Sequence, residues 1–453
     1  MELKDKKVMV YGAAKSGICA AGMLQKLGAE VIVYDRNVNL SKEALMDKHP
    51  LTEDFVLITG ELQDQSLELV ELLIISPGVP IDHPDIIKAQ SNNIPIWSEI
   101  ELAYRYTKGK VIGITGTNGK TTTTTLVGEI MKAFYDEVYV VGNIGNSYSD
   151  AALLTTNRSI TVIELSSFQL ETVHDLKLDV SAILNITPDH LDRHYTMENY
   201  IAMKERITRN QTLSEVCVLN YEDKTLQEMA HRIPAKQLYF SSERKLNEGL
   251  FLDGENIILA HQGESETICN VNELRILGKH NYENVMAAIG IAVSLEIPMD
   301  IIRKGVLNFQ GVEHRIEFVE TVNGVTYYND SKGTNPDASI RAVQAMRCPT
   351  ILIGGGYDKK IPFDDLIEAF DGKIKALVLL GQTRDQFADT ARQHGFTNII
   401  MADSLREAVE ASAKEAKEGE AVLLSPACAS WGMFDNYEQR GRLFKEYVRE
   451  MLS

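Results

Sequence analysis

A glycine-rich run near residue 116 carries the residue types that bind nucleotide phosphates. The apolar, β-branched segment Lys110–Thr115 predicts a buried strand, and the run Gly116–Thr121 (GTNGKT) interrupts it before a helical pattern continues to Phe134. In such a strand–loop–helix unit, the loop N–H groups and the helix dipole converge on one point and favour an anion. Lys120 would add a positive charge beside the β- and γ-phosphates, and the Thr121 hydroxyl would bind Mg²⁺.

The glycine spacing of this run departs from the strict P-loop pattern. That pattern places a glycine at position 114, which is Ile114 here, whereas the chain has Gly113, Gly116 and Gly119. A glycine-containing turn without a ligand is the alternative interpretation. The lysine and hydroxyl that follow Gly119 favour the phosphate site, whose predicted ATP contacts are Gly116, Thr117, Asn118, Gly119, Lys120, Thr121 and Thr122.

Polar side chains at predicted strand ends are candidates to complete this site. Glu164 ends the predicted strand Ser159–Leu165, and Asp189 and His190 follow the predicted strand Asp179–Ile186. The carboxyl ends of parallel strands are where α/β sheets bind ligands. Because Mg²⁺ prefers oxygen ligands, Glu164 is a candidate metal ligand, and His190 could contact metal or phosphate. A helix cap or a structural histidine would use the same residues without a ligand.

Two further residues are ambiguous from the sequence alone. Lys204 lies on the predicted helix Met197–Thr208, where a lysine is ordinarily solvated. Asn143, in the run Gly142–Gly145 (GNIG), could contact substrate or form a turn.

A second glycine-containing loop lies near the N-terminus. Gly12–Gly17 (GAAKSG) separates a predicted strand from a helix, and Asp35 ends the next predicted strand, where an acid that binds ribose belongs. Ala14 replaces the middle glycine of the dinucleotide pattern, which weakens the case for NAD. We therefore expect a second phosphate-bearing ligand here, with a purely structural turn as the alternative.

The composition describes an ordinary globular protein. The chain has 453 residues, of which 44% are hydrophobic and 24% charged, and a net charge of −18 that argues against nucleic-acid binding. Five scattered cysteines without CxxC spacing predict reduced thiols, not a disulfide framework or a zinc site. With no secretory signal or membrane-spanning run, we expect a cytoplasmic protein.

Strand-like and helix-like segments alternate along most of the chain, which predicts α/β units with parallel sheets. Three such series occur, and Asp253-Gly254 and Asn323-Gly324 each predict a hairpin within them. We place the domain boundaries near 98 and 310, giving domains 1–98, 99–310 and 311–453.

Taken together, the motifs resemble the Mur ligase family of ATP-dependent, amide-forming enzymes. The similarity covers essentially the whole chain, and the C-terminal motifs resemble those of the D-glutamate-adding ligases in the family. The motifs that carry it are GTNGKT (116–121), GNIG (142–145), ELSSFQ (164–169), NITPDHLDRH (185–194), YIAMKERI (200–207), LGKHNYENVMAA (277–288), HR (314–315), NDSKGTNP (329–336) and SPACASWGMFDNYEQRG (425–441).

The resemblance implies a Rossmann-like N-terminal domain that binds UDP, a central P-loop-type ATPase domain and a Rossmann-like C-terminal domain that closes over the site. It also implies a reaction in which ATP activates the L-alanine carboxylate of UDP-N-acetylmuramoyl-L-alanine as an acyl phosphate, which D-glutamate then captures. ATP and two Mg²⁺ are the implied cofactors, and we expect a monomer that does not bind nucleic acid or insert into a membrane.

The family roles transfer to matching positions of this chain. The implied catalytic residues are Lys120, His190, Lys204 and Arg315, with Lys204 as a CO₂-derived carbamate. The implied metal ligands are Thr121, Glu164, His190 and Lys204. Further ATP contacts are Asn281, Arg315 and Asp330. The implied UDP-substrate contacts are Lys15, Ser16, Asp35, Arg36, Ser76, Pro77, Gly78 and Asn143. The implied D-glutamate contacts are Lys332, Thr334, Lys359, Ser430 and Tyr437.

The sequence departs from the family pattern at two positions, and it leaves competing functions to be weighed. Tyr437 stands where a phenylalanine is familiar, and Gly432 where an aspartate can occur; both concern the D-glutamate pocket. Another Mur ligase or a folylpolyglutamate synthase-like ligase is the alternative within ligases, and NDSKGTNP and SPACASW argue against both. A dehydrogenase would leave GTNGKT without a role, and a non-catalytic scaffold would have no need of the metal and phosphate residues.

Overall fold

The computed structural model describes residues 2–47, 49, 51–68, 70–358 and 361–452. It contains two compact units: Met1–Cys269 with Glu283–Gly305, and Asn270–Tyr282 with Val306–Ser453. Among the described residues, none of the helices combines the length and the apolar character needed to cross a bilayer.

The N-terminal sheet has five parallel strands in the order β3-β2-β1-β4-β5. Strand order reverses between β1 and β4, which is the kind of switch point where open α/β sheets bind ligands. The strands are β1 (Lys7–Tyr11), β2 (Glu30–Asp35), β3 (Phe55–Thr59), β4 (Leu72–Ile75) and β5 (Ile96–Ser98), and the helices are α1 (Lys15–Lys26), α2 (Lys42–Met46), α3 (Asp64–Glu68), α4 (Pro84–Ser91) and α5 (Glu99–Tyr104).

The central sheet has nine strands in the order β14-β13-β12-β11-β10-β9-β6-β8-β7. From β7 to β12 all pairs are parallel, and the β12–β13 hairpin is antiparallel. The strands are β6 (Lys110–Thr115), β7 (Val138–Gly142), β8 (Ile160–Glu164), β9 (Val180–Ile183), β10 (Val216–Asn220), β11 (Lys236–Ser241), β12 (Gly249–Asp253), β13 (Asn256–His261) and β14 (Glu264–Asn270).

Helices accompany these central strands, because parallel strands need crossover connections. They are α6 (Lys120–Lys132), α7 (Tyr148–Ala152), α8 (Ser167–Leu170), α9 (Leu191–His194), α10 (Met197–Glu205), α11 (Lys224–Ala230), α12 (Lys279–Ser294) and α13 (Met299–Asn308), with 3₁₀ turns at Arg206–Thr208 and Val271–Glu273.

The C-terminal sheet has six strands in the order β15-β16-β20-β17-β18-β19, and only the β15–β16 hairpin pairs antiparallel within this sheet as described. The strands are β15 (Glu317–Val322), β16 (Val325–Asn329), β17 (Thr350–Gly354), β18 (Ile374–Leu379), β19 (Ile399–Met401) and β20 (Ala421–Leu424), and the helices are α14 (Pro336–Ala345), α15 (Asp364–Glu368), α16 (Arg384–Gln393), α17 (Leu405–Glu415) and α18 (Tyr437–Glu450).

Central strands read as unbroken apolar runs because helices cover both faces of each parallel sheet. Every residue of β4, β8, β17 and β20 is buried. The predicted α/β class with mostly parallel sheets is confirmed, and both predicted hairpins are present as β12–β13 and β15–β16. The predicted helix Met197–Thr208 is shorter than expected, since α10 ends at Glu205 and a 3₁₀ turn follows.

Candidate active site

The loop after β6 has the shape of an anion cradle. Gly119 precedes α6 with a left-handed φ of 85°, and a Cβ there would lie 2.2 Å from Asn284 Oδ1. Glycine alone therefore fits this position comfortably, and it has no side chain with which to cap the helix. Because Gly119 makes no side-chain cap, the N-terminus of α6, which begins at Lys120, is of the kind that binds phosphate.

A neighbouring segment holds the loop in place. Asn118 N donates to Asn185 Oδ1 (2.8 Å), Asn185 Nδ2 returns a bond to Asn118 O (3.1 Å), and Thr117 N donates to Asn185 O (2.9 Å). The Thr117 hydroxyl donates to Thr187 O (3.1 Å) and lies 3.0 Å from the Tyr200 hydroxyl. The residues after β9 and those of α10 thus fix the backbone that would meet phosphate.

Two lysines converge on one carbonyl of this loop. Lys120 Nζ donates to Gly116 O at 2.9 Å, and Lys204 Nζ donates to the same oxygen at 2.8 Å. Lys204 is 1% exposed, and burial together with the charge of Lys120 lowers the pKa of its amine to about 7, against a smaller opposing effect of Asp189. A substantial fraction of this amine is therefore neutral near pH 7.

Glu164 ends β8 and is 2% exposed. Its Oε1 accepts a 2.8 Å bond from Asn143 Nδ2, and Asn143 N donates to Glu164 O at 2.9 Å. Its Oε2 is buried without a hydrogen-bond partner among the described residues. Because an unpartnered buried carboxylate oxygen is costly and is a preferred donor to Mg²⁺, this residue fits a metal ligand.

His190 occupies an unusual backbone conformation for a residue with a side chain. Its φ of 52° is left-handed, and its ring packs 4.9 Å from the ring of Phe168, which follows β8. Its Nε2 lies 3.4 Å from Asp189 Oδ2, and about half of its side chain is exposed. Backbone of this kind is kept where its surroundings enforce it, often at functional sites.

The loop after β1 lies against the end of β4. Ser76 Oγ donates to Gly12 O at 2.8 Å, which joins the two sides of the switch point. Both oxygens of Asp35 accept backbone bonds, from Ala13 N (2.8 Å) and from Asn37 N (2.9 Å). Each carboxylate oxygen keeps further acceptor capacity, so Asp35 holds the loop while remaining able to accept from a ligand.

The other predicted UDP contacts surround this loop. Lys15 Nζ reaches across to Gly145 O (2.5 Å) and so joins the loop to the GNIG run that contains Asn143. Arg36 is exposed, Ser16 is half-buried, and Pro77 and Gly78 form the turn closed by the bond from Val79 N to Ser76 O (2.9 Å).

A buried carboxylate follows β16 in the second unit. Asp330 Oδ2 accepts from Ser425 Oγ (2.7 Å) and Oδ1 accepts from Ile316 N (3.2 Å). Burial raises the pKa of Asp330 to about 7 against these two hydrogen bonds and the nearby charge of Arg315. Arg315 itself is exposed.

The predicted D-glutamate residues lie on two loops and on α18. Lys332 Nζ lies 5.4 Å from the ring centre of Tyr437, Ser430 is buried, and Thr334 is half-buried. Lys359 lies outside the described residues. Asn281 is buried and donates to Leu277 O (2.7 Å), and it belongs to the second unit, as Arg315 and Asp330 do.

A buried arginine ties these loops to α18. Arg440 is 2% exposed and donates to Ser331 Oγ (3.0 Å), Ser331 O (2.8 Å) and Cys428 O (3.2 Å). Ser331 Oγ in turn donates to Tyr437 O (2.8 Å). The loops after β16 and β20 are thereby fixed to one helix.

Sequence reasoning assigned no role to several residues that hold these side chains in place. All of them lie inside the motifs named above, so their position within a motif was the sequence signal that could have found them. Their positioning role is evident only from the contacts in the structure. They are Asn185, Tyr200, Asn284, Ser425 and Arg440.

Fold and site together define a three-domain α/β protein in which the loop after β6 has the shape of an anion cradle. Three protein-family models match the chain. The family "Mur ligase MurD-like, N-terminal domain" matches residues 6–98, the "Mur ligase middle domain" matches residues 114–292, and the "Mur ligase, glutamate ligase domain" matches residues 314–428. The chain belongs to the Mur ligase family, whose members are ATP-dependent ligases that form amide bonds.

Relatives match over the full length. A UDP-N-acetylmuramoylalanine–D-glutamate ligase of Lachnoclostridium phytofermentans is 55% identical over all of this chain and 99% of its own length. A protein of the same name from Lachnospira eligens is 54% identical over the whole of both chains.

Solved structures share the fold at low identity. MurC of Thermotoga maritima has a TM-score of 0.58 at 18% identity, covering 98% of this chain and 99% of its own. MurF of the same organism in complex with ADP has a TM-score of 0.56 at 16% identity, covering 99% and 96%.

Proposed function

We propose that this protein joins D-glutamate to UDP-N-acetylmuramoyl-L-alanine at the expense of ATP, in peptidoglycan precursor synthesis. The observation that carries the proposed chemistry is the convergence of the half-buried Lys120 and the buried Lys204 on Gly116 O. The substrates are inferred from the full-length relatives that bear the D-glutamate ligase name.

The loop from Gly116 to Thr122 is the proposed cradle for the ATP phosphates. Its N–H groups and the N-terminus of α6 would orient the γ-phosphoryl group, and Lys120 would offset the charge of the β/γ region. In phosphoryl transfer, positioning and charge neutralisation supply most of the catalysis. A glycine-based backbone braced by Asn185 meets this need, because it is fixed before substrate arrives.

Thr121, Glu164, His190 and Lys204 are the proposed ligands of two Mg²⁺ sites. The unpartnered Glu164 Oε2 supports this assignment, since it offers a hard oxygen where the protein leaves it unsatisfied. Bound Mg²⁺ supplies neutralisation of the phosphoryl oxygens.

Lys204 is proposed to act as its carbamate. Its buried amine has a pKa near 7, so a neutral nitrogen can add to CO₂. One N–C bond forms and one proton leaves, which replaces an ammonium that would repel Mg²⁺ with an anionic oxygen donor. The adduct would also end the repulsion between the two neighbouring lysine charges.

The proposed reaction has two steps joined by an acyl phosphate, and the second step passes through a tetrahedral intermediate. The L-alanine carboxylate attacks the γ-phosphorus of ATP, ADP leaves, and an acyl phosphate results. The neutral amine of D-glutamate then attacks the acyl carbon; inorganic phosphate leaves, and the new amide nitrogen loses a proton. His190 is proposed to act beside the transferring group, in contact with metal or phosphate.

The second unit supplies the remaining proposed contacts. Arg315, Asp330 and Asn281 are proposed to contact ATP. Lys332 and Lys359 would pair with the carboxylates of D-glutamate, and the polar side chains of Thr334, Ser430 and Tyr437 would accompany them. Contacts of Lys15, Ser16, Asp35, Arg36, Ser76, Pro77, Gly78 and Asn143 with the UDP portion complete the proposal.

Phosphate release from ATP and UDP-N-acetylmuramoyl-L-alanine tests the reaction, with D-glutamate, L-glutamate or no amino acid added. We expect sustained release only with D-glutamate. Dependence on L-glutamate with a folate, or on another amino acid, would assign a different ligase; no release with the complete substrate set would reject the proposal.

The Lys204 carbamate has a separate test. Protein prepared in ¹³C-labelled bicarbonate should show a carbamate carbon signal that Lys204→Ala abolishes and that Lys132→Ala, at an exposed lysine, retains. Short carboxylic acids should partly restore the activity of Lys204→Ala. Full activity in rigorously CO₂-free buffer would contradict the carbamate alone and leave the ligase assignment intact.

We also propose a cytoplasmic monomer. All five cysteines are free thiols, which agrees with a reducing compartment. Light scattering of the purified protein should give the mass of one chain.

A further inference from the structure

Three potential metal ligands meet outside the proposed active site. Cys19 lies on α1, His49 lies between α2 and β3, and Asp150 lies on α7. One ligand atom from each lies within 4.8 Å of the others. The cluster joins the N-terminal sheet, through α1 and the His49 segment, to a helix of the central sheet in the same compact unit.

The spacing of the sulfur and nitrogen atoms fits a tetrahedral zinc site. Cys19 Sγ lies 3.6 Å from His49 Nδ1 and 4.0 Å from His49 Nε2. Zinc bonds of about 2.3 Å to sulfur and about 2.0 Å to nitrogen, at a tetrahedral angle, place the two ligand atoms about 3.5 Å apart. Cys19 and His49 therefore lie at the required separation. Because the sulfur is almost equidistant from the two ring nitrogens, the imidazole would have to turn so that one nitrogen lone pair points at the shared ion.

The exposure of the ligands gives the cluster a closed and an open side. Cys19 is 2% exposed, His49 is half-buried and Asp150 is exposed. An ion could enter past Asp150, and a water molecule could occupy the fourth position there. Binding would release the thiol proton of Cys19 to solvent, because the thiolate is the form that binds metal.

A buried serine hydroxyl beside the cluster gives a second observation in favour of a bound ion. Ser147 precedes α7, is 8% exposed, and lies close enough to Cys19 to lower the pKa of its thiol. Burial and the neighbouring Asp150 outweigh this effect and raise that pKa to about 12. Ser147 Oγ makes no hydrogen bond of ordinary geometry with any described residue, which leaves a buried polar atom for a metal-bound water.

We infer that Cys19, His49 and Asp150 form a binding site for a single zinc-class divalent cation, separate from the magnesium ligands of the proposed active site. Thiolate and imidazole select zinc or cobalt over magnesium. The ion would fasten α1, which begins at the proposed UDP contact Lys15, to α7 and to the His49 segment. Its expected role is to stabilise this part of the fold.

Cobalt titration of the full-length, metal-stripped protein tests the site. We expect one equivalent of Co²⁺ to give a thiolate-to-cobalt charge-transfer band that Zn²⁺ removes and Mg²⁺ does not. Cys19→Ser should abolish the band, and Cys217→Ser, at a buried cysteine without a described His or Asp partner, should retain it. Zn²⁺ should raise the unfolding temperature of the wild type and not that of Cys19→Ser.

Asp150→Asn keeps the test decisive if Cys19→Ser folds poorly, because Asp150 is exposed. It should weaken Co²⁺ binding by at least the roughly 10–100-fold that loss of an outer-shell partner costs at other metal sites. Glu164→Gln should leave the band unchanged. Absence of the band in the wild type, or undiminished affinity in Asp150→Asn, would reduce the cluster to a metal-free hydrogen-bonded trio and overturn the inference.

Discussion

The loops after β1 and β6 share one backbone design and differ in their charges. Each follows a central strand of a parallel sheet and leads into a helix, and each has a glycine with no room for a side chain, in the first turn of α1 (Gly17) or directly before α6 (Gly119). A Cβ on Gly17 would lie 1.9 Å from Gly12 O, and one on Gly119 would lie 2.2 Å from Asn284 Oδ1. The shape of both loops is thus set by close approach.

Charge distinguishes what the two loops can bind. The β6 loop gathers Lys120 and Lys204 on Gly116 O, whereas in the β1 loop Asp35 accepts from Ala13 N and Lys15 reaches to a distant carbonyl. Glycines therefore specify a cradle, and the side chains around it specify its ligand. We propose reactive phosphates for the first loop and the non-reacting UDP group for the second.

The largest expected effect is the difference in turnover between variants of Lys120 and of Lys15. Lys120→Ala should lower turnover by about 10²–10³-fold, because it removes a charge that stabilises the transferring phosphoryl group. Lys15→Ala should raise KM for the UDP substrate by about tenfold with turnover nearly unchanged, as expected for uniform binding. Steady-state kinetics on both variants check the contrast, and equal losses of turnover would erase it.

Arg315 tests the same contrast between catalytic and binding cations in the second unit, where it is exposed and its charge acts on the buried carboxylate of Asp330. Arg315→Ala should reduce turnover by about 10² if it stabilises the phosphoryl group. Arg442→Ala, at another exposed arginine, serves as the matched control. Near-wild-type turnover of Arg315→Ala would remove this residue from the proposed catalytic set.

Substitution of the glycines tests the shared backbone design. Gly17→Ala should destabilise the fold by about 3 kcal/mol, because its Cβ would meet a backbone oxygen that cannot move aside cheaply. Gly263→Ala meets nothing within 4 Å and should cost only about 1 kcal/mol for its left-handed φ of 82°. Chemical denaturation measures both, and similar costs would show that close approach does not decide the shape.

The pH dependence of stability tests the lysine pair. The folded pKa of Lys204 is about 7 against an ordinary value of 10.5, so between these pH values the unfolded chain binds the extra proton. Its contribution to the free energy of unfolding should therefore rise with pH by up to about 1.4 kcal/mol per unit, from pH 7 until it levels off near 10.5.

This contribution is isolated by subtracting the profile of Lys204→Met from that of the wild type, in CO₂-free buffer. Lys132→Met provides the control, because an exposed lysine should give a flat difference. A flat difference for Lys204→Met as well would mean that burial does not perturb its amine.

Much of the fold was predictable because buried, periodic elements carry a clear apolar pattern in the sequence. Lys110–Thr115 was predicted with the bounds that the structure has. Two edge strands, β3 and β14, were not predicted: β3 exposes Val56 and β14 is mostly polar, so neither shows the unbroken apolar run of a central strand. The domain boundaries near 98 and 310 stay predictions.

The site was only partly predictable, since its chemistry depends on burial that local sequence does not encode. Spacing favoured a solvated Lys204 and an unremarkable strand-end Glu164, whereas the fold buries both almost completely. Lys204 is buried because α10 packs against the β6 loop, a contact between segments 88 residues apart. The motif resemblance anticipated both roles, and those roles stay predictions until the variants are measured.

The Arg440 contacts have a consequence for how the protein matures on the ribosome. The loops after β16 and β20 are synthesised before α18, and the guanidinium that joins them comes from that helix. Because chains fold as they are synthesised, the proposed amino-acid pocket would be completed only after α18 has been synthesised. A nascent chain halted before that helix would therefore carry a nearly finished phosphate cradle and no organised seat for its second substrate.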